Sequence, residues 1–171
     1  RAVCGPVNLE IRNGDRICLS GANGCGKSSI LKAILGEDIH HDGHISRASG
    51  LIVSYVSQET SHLKGSLSEY ARKQGIDETL FRALLRKLDF ERVQFEKNLE
   101  NLSGGQKKKI LIAVSLCEQA HLYIWDEPLN FVDVLSRVQI EELILKYQPT
   151  LLFVEHDVMF QEHVATKLIN L

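Results

Sequence analysis

Residues 21–29 read Gly-Ala-Asn-Gly-Cys-Gly-Lys-Ser-Ser, and the G-x-x-x-x-G-K-S pattern within them leaves the chain few folds to choose from. The apolar run Ile17-Cys18-Leu19 comes just before, and Ile30-Leu31-Lys32-Ala33-Ile34-Leu35 follows at helical spacing. The string therefore joins a strand to a helix, the setting of a phosphate-binding loop. Glycines let the backbone curl tightly enough to aim successive N–H groups at one point, and the helix N-terminus adds partial positive charge there. Lys27 can reach β- and γ-phosphates, and the Ser28 hydroxyl suits Mg²⁺. The plain alternative is a glycine-rich turn beside a lysine, but the strand–loop–helix setting favours a nucleotide site. Its candidate binding residues are Gly21, Ala22, Asn23, Gly24, Cys25, Gly26, Lys27, Ser28 and Ser29.

A chain of 171 residues, 44% apolar and 25% charged, makes one globular domain or two subdomains with a substantial core. The net charge of −2 gives no whole-chain pull toward nucleic acid or membrane. No apolar run approaches the roughly 20 residues of a membrane span, and the first residues do not read as a signal peptide. Cys4, Cys18, Cys25 and Cys117 form no C-x-x-C pair. Cys18 and Cys117, in apolar surroundings, read as small core residues, and a reducing cytoplasm fits this usage.

Val7-Asn8-Leu9-Glu10-Ile11 alternates as a strand does, and Asn13-Gly14-Asp15 is a turn. Residues 36–50 are turn-rich. His40, His41, Asp42 and His44 fall there, and Asp42-Gly43 is better read as a turn than as part of a metal site. Leu51 to Val56 is a strand ending at Ser57-Gln58. Residues 59–102 then turn helical. Ser66 and Glu69 form a capping box, and Asp77 caps a second helix whose Leu80, Phe81, Leu84, Leu85 and Leu88 line one face. A further helix starts after Ser103-Gly104-Gly105-Gln106. Leu122-Tyr123-Ile124-Trp125 is a buried strand, 134–147 a helix closed by Pro149, and Thr150 to Val154 another buried strand. Lys107, Lys108 and Lys109, the one basic run, read as a solvated face with RNA contact as the alternative.

Strands alternating with helices predict an α/β fold: a mainly parallel sheet flanked by helices, made from residues 1–58 and 103–171, with 59–102 as a small helical subdomain. Polar residues collect just past the strand ends, where such sheets bind ligands. Asp126 is placed to hold Mg²⁺, and Glu127 to accept a proton from the attacking water or to orient it. His156 can hydrogen-bond the γ-phosphate or that water. The Gln58 amide suits both the metal and the water. Each alone has a structural explanation; together, each at a strand end, they form a phosphoryl-transfer set.

Ser103 and Gln106 satisfy a capping box, but a cap has no need of Gly104-Gly105, which weaken a helix. Adjacent glycines make sense where a ligand or a backbone must come close. With the P-loop, Gln58, Leu102-Ser103-Gly104-Gly105-Gln106, Asp126-Glu127 and His156 in that order, the whole chain resembles the ATP-binding cassette (ABC) ATPases, which are P-loop NTPases. The resemblance implies hydrolysis of ATP to ADP and phosphate, with Lys27, Gln58, Glu127 and His156 as the catalytic residues and Mg²⁺ on Ser28, Gln58 and Asp126. It implies head-to-tail pairing with a second cassette, Ser103, Gly104, Gly105 and Gln106 serving the nucleotide held by the partner. Asn130-Phe131-Val132-Asp133 matches the family's D-loop. An isolated chain then supplies half of each composite site and is expected to hydrolyse ATP weakly or not at all.

Trp125-Asp126-Glu127-Pro128-Leu129-Asn130 resembles the ABC-F branch, cytoplasmic tandem-cassette ATPases that act on the ribosome, and among them those that confer antibiotic resistance by ribosome protection. The chain then corresponds to one cassette, the C-terminal one. The rival expectation is the motor subunit of a membrane transporter, partnered by membrane domains. Two residues depart from the common family pattern: Glu155 stands where many cassettes have serine, and Leu129 where threonine is common. The family's adenine-stacking aromatic is expected on a strand upstream of Val7, ahead of Arg1. Nucleotide binding that depends mostly on the phosphates follows.

Overall fold

The computed structural model describes residues 4–171, which divide into two compact units. The first comprises residues up to Tyr55 together with Ala120–Glu127 and Gln148–Leu171; the second comprises Val56–Gln119 and Pro128–Tyr147.

The first unit is built on a sheet in the order β2-β3-β4-β1-β5, from β1 (Arg16–Ser20), β2 (Val53–Val56), β3 (Leu122–Asp126), β4 (Leu151–Val154) and β5 (Lys167–Asn170). β1 pairs in parallel with β4 and β5, and β3 pairs in parallel with β4. Strands buried on both faces carry apolar runs without alternation, and Leu151–Val154 is buried at every position. Ile17, Leu19, Ile124, Leu152, Val154 and Leu31 of α1 (Lys27–Leu35) form the core. At the end of α1 the Arg47 guanidinium donates to the carbonyls of Leu35 and Ala33, the latter also accepting the Gly36 N–H of the helix cap. Phe160, on α7 (Val158–Val164), packs edge-to-face on Phe153 with ring centroids 5.5 Å apart.

The second unit is helical. α2 (Leu67–Gln74) opens on the capping box of Ser66 and Glu69, and α3 (Glu78–Lys87) on the Asp77 cap. After α4 (Arg92–Phe95) and a 3₁₀ turn at Leu99–Asn101 come α5 (Gly104–Cys117) and α6 (Val134–Tyr147). Phe90 meets Phe95 edge-to-face, and the Arg82 and Arg86 guanidiniums lie over the Phe95 ring at 5.6 and 5.7 Å. α5 is buried from Lys108 to Ser115 and apolar all round from Ile110 to Val114, as an enclosed helix must be. Among the described residues no helix is long and apolar enough to cross a membrane.

The parallel sheet with flanking helices is as the sequence predicts. Several local expectations need correction. Val7–Ile11 forms no strand: Leu9 and Ile11 pack on the core while Asn8 and Glu10 stay exposed, so the alternation serves burial without a ladder partner. β2 begins at Val53 rather than Leu51. Leu80 is exposed, because at ~100° per residue it lies about 90° from the centre of the stripe formed by Phe81, Leu84, Leu85 and Leu88. The lysine run is not a solvated face either. Lys108 is 1% exposed with its ammonium on the Ser57 carbonyl at 3.0 Å, and Lys109 is buried beside Asp133 at 3.4 Å. Consecutive helical residues spaced ~100° apart cannot share one exposed face when the helix is enclosed.

Candidate functional site

The parallel register sets the ends of β1, β3 and β4 level: Leu19 pairs with Val154, and Asp126 pairs with Val154. The chain therefore emerges at one sheet edge as Gly21 after β1, Glu127 after β3 and Glu155-His156 after β4.

At the first of these, Gly21, Gly24 and Gly26 all have positive φ, of 150°, 79° and 99°. Gly21 also lacks room: a β-carbon there would sit 2.8 Å from the Cys25 sulfur and 3.1 Å from the Leu171 carbonyl oxygen. Gly26 opens α1 without a side-chain cap, and no acidic residue stands in the helix's first turn. That first turn carries Lys27, Ser28 and Ser29, so main-chain N–H groups and dipole face an anion-seeking end. Lys27 is buried and folded over the loop, its ammonium donating to the carbonyls of Gly21 at 2.7 Å and Ala22 at 2.8 Å, with the Cys25 sulfur at 3.8 Å. Curled glycines, an uncapped helix start and a lysine held at the loop are the donor set that polyphosphate requires, and the fit is good.

Asp126 closes β3 and is 3% exposed. Across the sheet, the Tyr55 hydroxyl is pushed up to about 12, by burial first and then by the charges of Asp126 and Glu37. A buried carboxylate at a strand end beside a phosphate loop suits a hard cation. Glu127 takes the left-handed conformation, φ 50°, and its N–H donates to the Val154 carbonyl at 2.9 Å. Backbone strain of this kind persists only where surrounding structure fixes it, and it collects at functional positions. The Glu127 Oε1 lies 3.3 Å from His156 Nε2. Glu155, absent from the sequence-derived set, accepts the His156 N–H on its own carboxylate at 3.0 Å. In the sequence it stands out by its place next to the histidine and by replacing the serine common in many cassettes.

The remaining predicted residues lie in the second unit. Gln58 stands two residues past β2, exposed. Ser103 caps α5: its hydroxyl accepts the Gln106 N–H at 3.2 Å while the Gln106 Oε1 accepts the Ser103 N–H at 2.9 Å. Gly104 and Gly105 follow, with the Phe131 ring against Gly104 and the Phe131 main chain against Gly105. Phe131 has φ 65° and is 83% exposed, unusual for a bulky residue on both counts. Asp133 bonds the N–H and hydroxyl of Ser136 at the start of α6, at 2.9 and 2.8 Å. These segments border a polar cavity of about 310 Å³ lined by Ser103, Gly105, Gln106, Lys109, Phe131 and Asp133 among others.

The sequence model of the ABC transporter family matches residues 4–130. The ATP-binding protein Uup of Buchnera aphidicola is 32% identical over 165 residues, which cover 92% of this chain and 28% of that protein. The ribosome protection protein VmlR of Bacillus subtilis is 31% identical over 170 residues, 95% of this chain and 30% of that protein. For ABC transporter F family member 2 of Arabidopsis thaliana the values are 28% identity, 96% and 25%. Among solved structures, that of the archaeal ribosome recycling factor aABCE1 with the stalk protein aP1 superposes with a TM-score of 0.76 at 28% identity, covering 94% of this chain and 32% of the other. The chain thus spans less than a third of each of these proteins. Matching the family over most of its length, on the fold that the match implies, the chain belongs to the ABC transporter family of ATP-binding cassettes, and these sequence relatives are of the ABC-F type.

Proposed function

We propose that this chain is one ATP-hydrolysing cassette, the C-terminal one, of a longer cytoplasmic ABC-F-type protein that works on the ribosome, as a translation factor or in antibiotic resistance. The observation that carries the hydrolytic part is the Glu127–His156 pair at the sheet edge that also bears the phosphate loop. Relatives that are a ribosome protection protein and a ribosome recycling factor support the ribosomal part.

In this reading the amides of Gly21 to Ser29 and the Lys27 ammonium hold the β- and γ-phosphates and offset charge on the transferring group. Mg²⁺ on Ser28, Gln58 and Asp126 supplies Lewis-acid stabilisation of that charge when bound. Glu127 accepts a proton from the water whose oxygen bonds to the γ-phosphorus as the bond to the β-phosphate oxygen breaks, releasing ADP and phosphate. His156 orients that water and the γ-phosphate. Ser103, Gly104, Gly105 and Gln106 serve the nucleotide of the second cassette, so the chain alone turns over weakly or not at all.

The test uses the intact protein carrying Glu127→Gln, measuring ATP turnover and co-sedimentation with ribosomes with and without ATP. The variant should bind ATP, lose turnover and stay on ribosomes only when ATP is present. Unchanged turnover refutes the role of Glu127. Recovery in a membrane fraction without ribosome binding replaces the ribosomal reading with that of a transporter motor.

A further inference from the structure

Glu155 follows β4 directly and is buried, with only 6% of the residue exposed. Burying a carboxylate is unfavourable unless hydrogen bonds replace its water. One such bond is explicit: Oε1 accepts the main-chain N–H of His156 at 3.0 Å. That N–H lies two residues past the last paired position of β4, Val154, and the Glu155 carboxylate is its acceptor there. The next residues are fixed as well. The side-chain amide of Gln161 donates to the Glu155 carbonyl, and Asp157 caps α7 by accepting the Phe160 N–H at 2.9 Å. From β1, the Cys18 thiol meets the Glu155 main chain: burial pushes the thiol up to about 11, the hydrogen bond with that main chain opposes this, and the Glu155 charge adds to the rise. His156 in turn presents Nε2 to Glu127 at 3.3 Å.

We propose that Glu155 is a positioning residue, whose carboxylate holds the His156 main chain so that the imidazole meets Glu127. It acts through His156 and does not touch the reacting atoms. What matters is the acceptor oxygen on the His156 N–H, because without it the main chain at His156 loses this tether and the imidazole is free to swing. The catalytic consequence rests on the hydrolytic reading above; the structural one does not.

Glu155→Ala and Glu155→Gln separate the possibilities in the intact protein, with steady-state ATP turnover and amide hydrogen exchange at His156 as the two readouts. Glu155→Ala should lower kcat about tenfold with KM for ATP nearly unchanged, the pattern of a misplaced catalytic group. Its His156 amide should exchange about tenfold faster than in the unaltered protein. Glu155→Gln keeps an acceptor oxygen and should restore both. A His156 amide equally protected in Glu155→Ala overturns the proposal, as does Glu155→Gln failing as badly as Glu155→Ala. If the unaltered intact protein shows no ATP turnover, the hydrolytic reading falls, and the His156 amide still decides whether Glu155 holds that residue.

Discussion

The main-chain oxygen of Phe131 occupies the space in which a side chain on Gly105 would have to begin. The neighbouring Gly104 is different, since a β-carbon there would meet the Phe131 ring at 3.4 Å, ordinary contact. Of the two adjacent glycines in this helix start, only Gly105 is required by the approach of Phe131. Gly105→Ala should cost about 1–3 kcal/mol by overpacking against backbone that cannot yield easily. Gly104→Ala should change stability by no more than about 0.5 kcal/mol, because alanine is the better helix former and has room. Urea denaturation of the two variants measures this, and equal losses would show that the Phe131 approach is not what Gly105 serves.

Lys108 is an internal hydrogen-bond donor, with its ammonium on the Ser57 carbonyl and its stem inside the helical unit. Lys108→Ala removes that packing and leaves the carbonyl without this donor, a loss on the order of 2–4 kcal/mol. Lys107→Ala, one residue away and less buried, should stay within about 0.5 kcal/mol. Comparable losses at the two positions would contradict the burial of Lys108.

The Asp133 carboxyl is held down to about 2, chiefly by the Ser136 N–H and also by the Ser136 hydroxyl and Lys109, with burial opposing. A folded-state value below the unfolded one stabilises the protein above the unfolded value and stops doing so as pH falls through the folded one. The contribution is thus complete above about pH 4 and is lost between there and about pH 2. The side chain is 59% exposed, so the ion pair with Lys109 adds little and the helix-capping bonds dominate. Asp133→Asn should lower the urea midpoint at neutral pH, and the difference from the unaltered chain should shrink as pH drops from 4 toward 2. A difference that is constant over that range would remove the carboxylate from the explanation.

Features that depend on neighbours in sequence were legible in it. The phosphate loop, the capping boxes at Ser66 and Ser103, and the Asp77 cap are local chemistry, and the chain adopts each of them. α7 and β5 leave little trace in the sequence. α7 has seven residues and β5 four, of which Lys167, Leu168 and Asn170 are exposed, so neither shows a usable apolar period. β5 exists because Lys167–Asn170 pairs in parallel with β1, with the Leu171 N–H on the Ser20 carbonyl at 2.9 Å. At the site, the doubled glycine signalled a close approach without saying whose, and only the fold identifies the Phe131 backbone. The lysine run misled for the opposite reason. Charge suggests exposure, but three successive positions on a helix span about 200° and cannot all face outward from an enclosed one.

Cysteine labelling reads the phosphate loop directly. Burial pushes the Cys18 and Cys117 thiols up to about 11 each, so at pH 8 only about a thousandth of either is the reactive thiolate. Cys25 is only partly buried and lies in the loop, its sulfur 3.8 Å from the Lys27 ammonium that the proposed site turns toward phosphate. Cys4, also partly buried and outside the loop, is the internal control. Alkylation at pH 8 followed by peptide mass spectrometry should modify Cys25 and Cys4 well before the other two. Mg-ATP at ten times its Kd should slow Cys25 about tenfold, in proportion to the fraction of loop left uncovered, and leave Cys4 unchanged. Adenosine at the same concentration should protect little if the phosphates carry the binding. Cys25 labelled at one rate with and without Mg-ATP would mean that nucleotide does not occupy this loop.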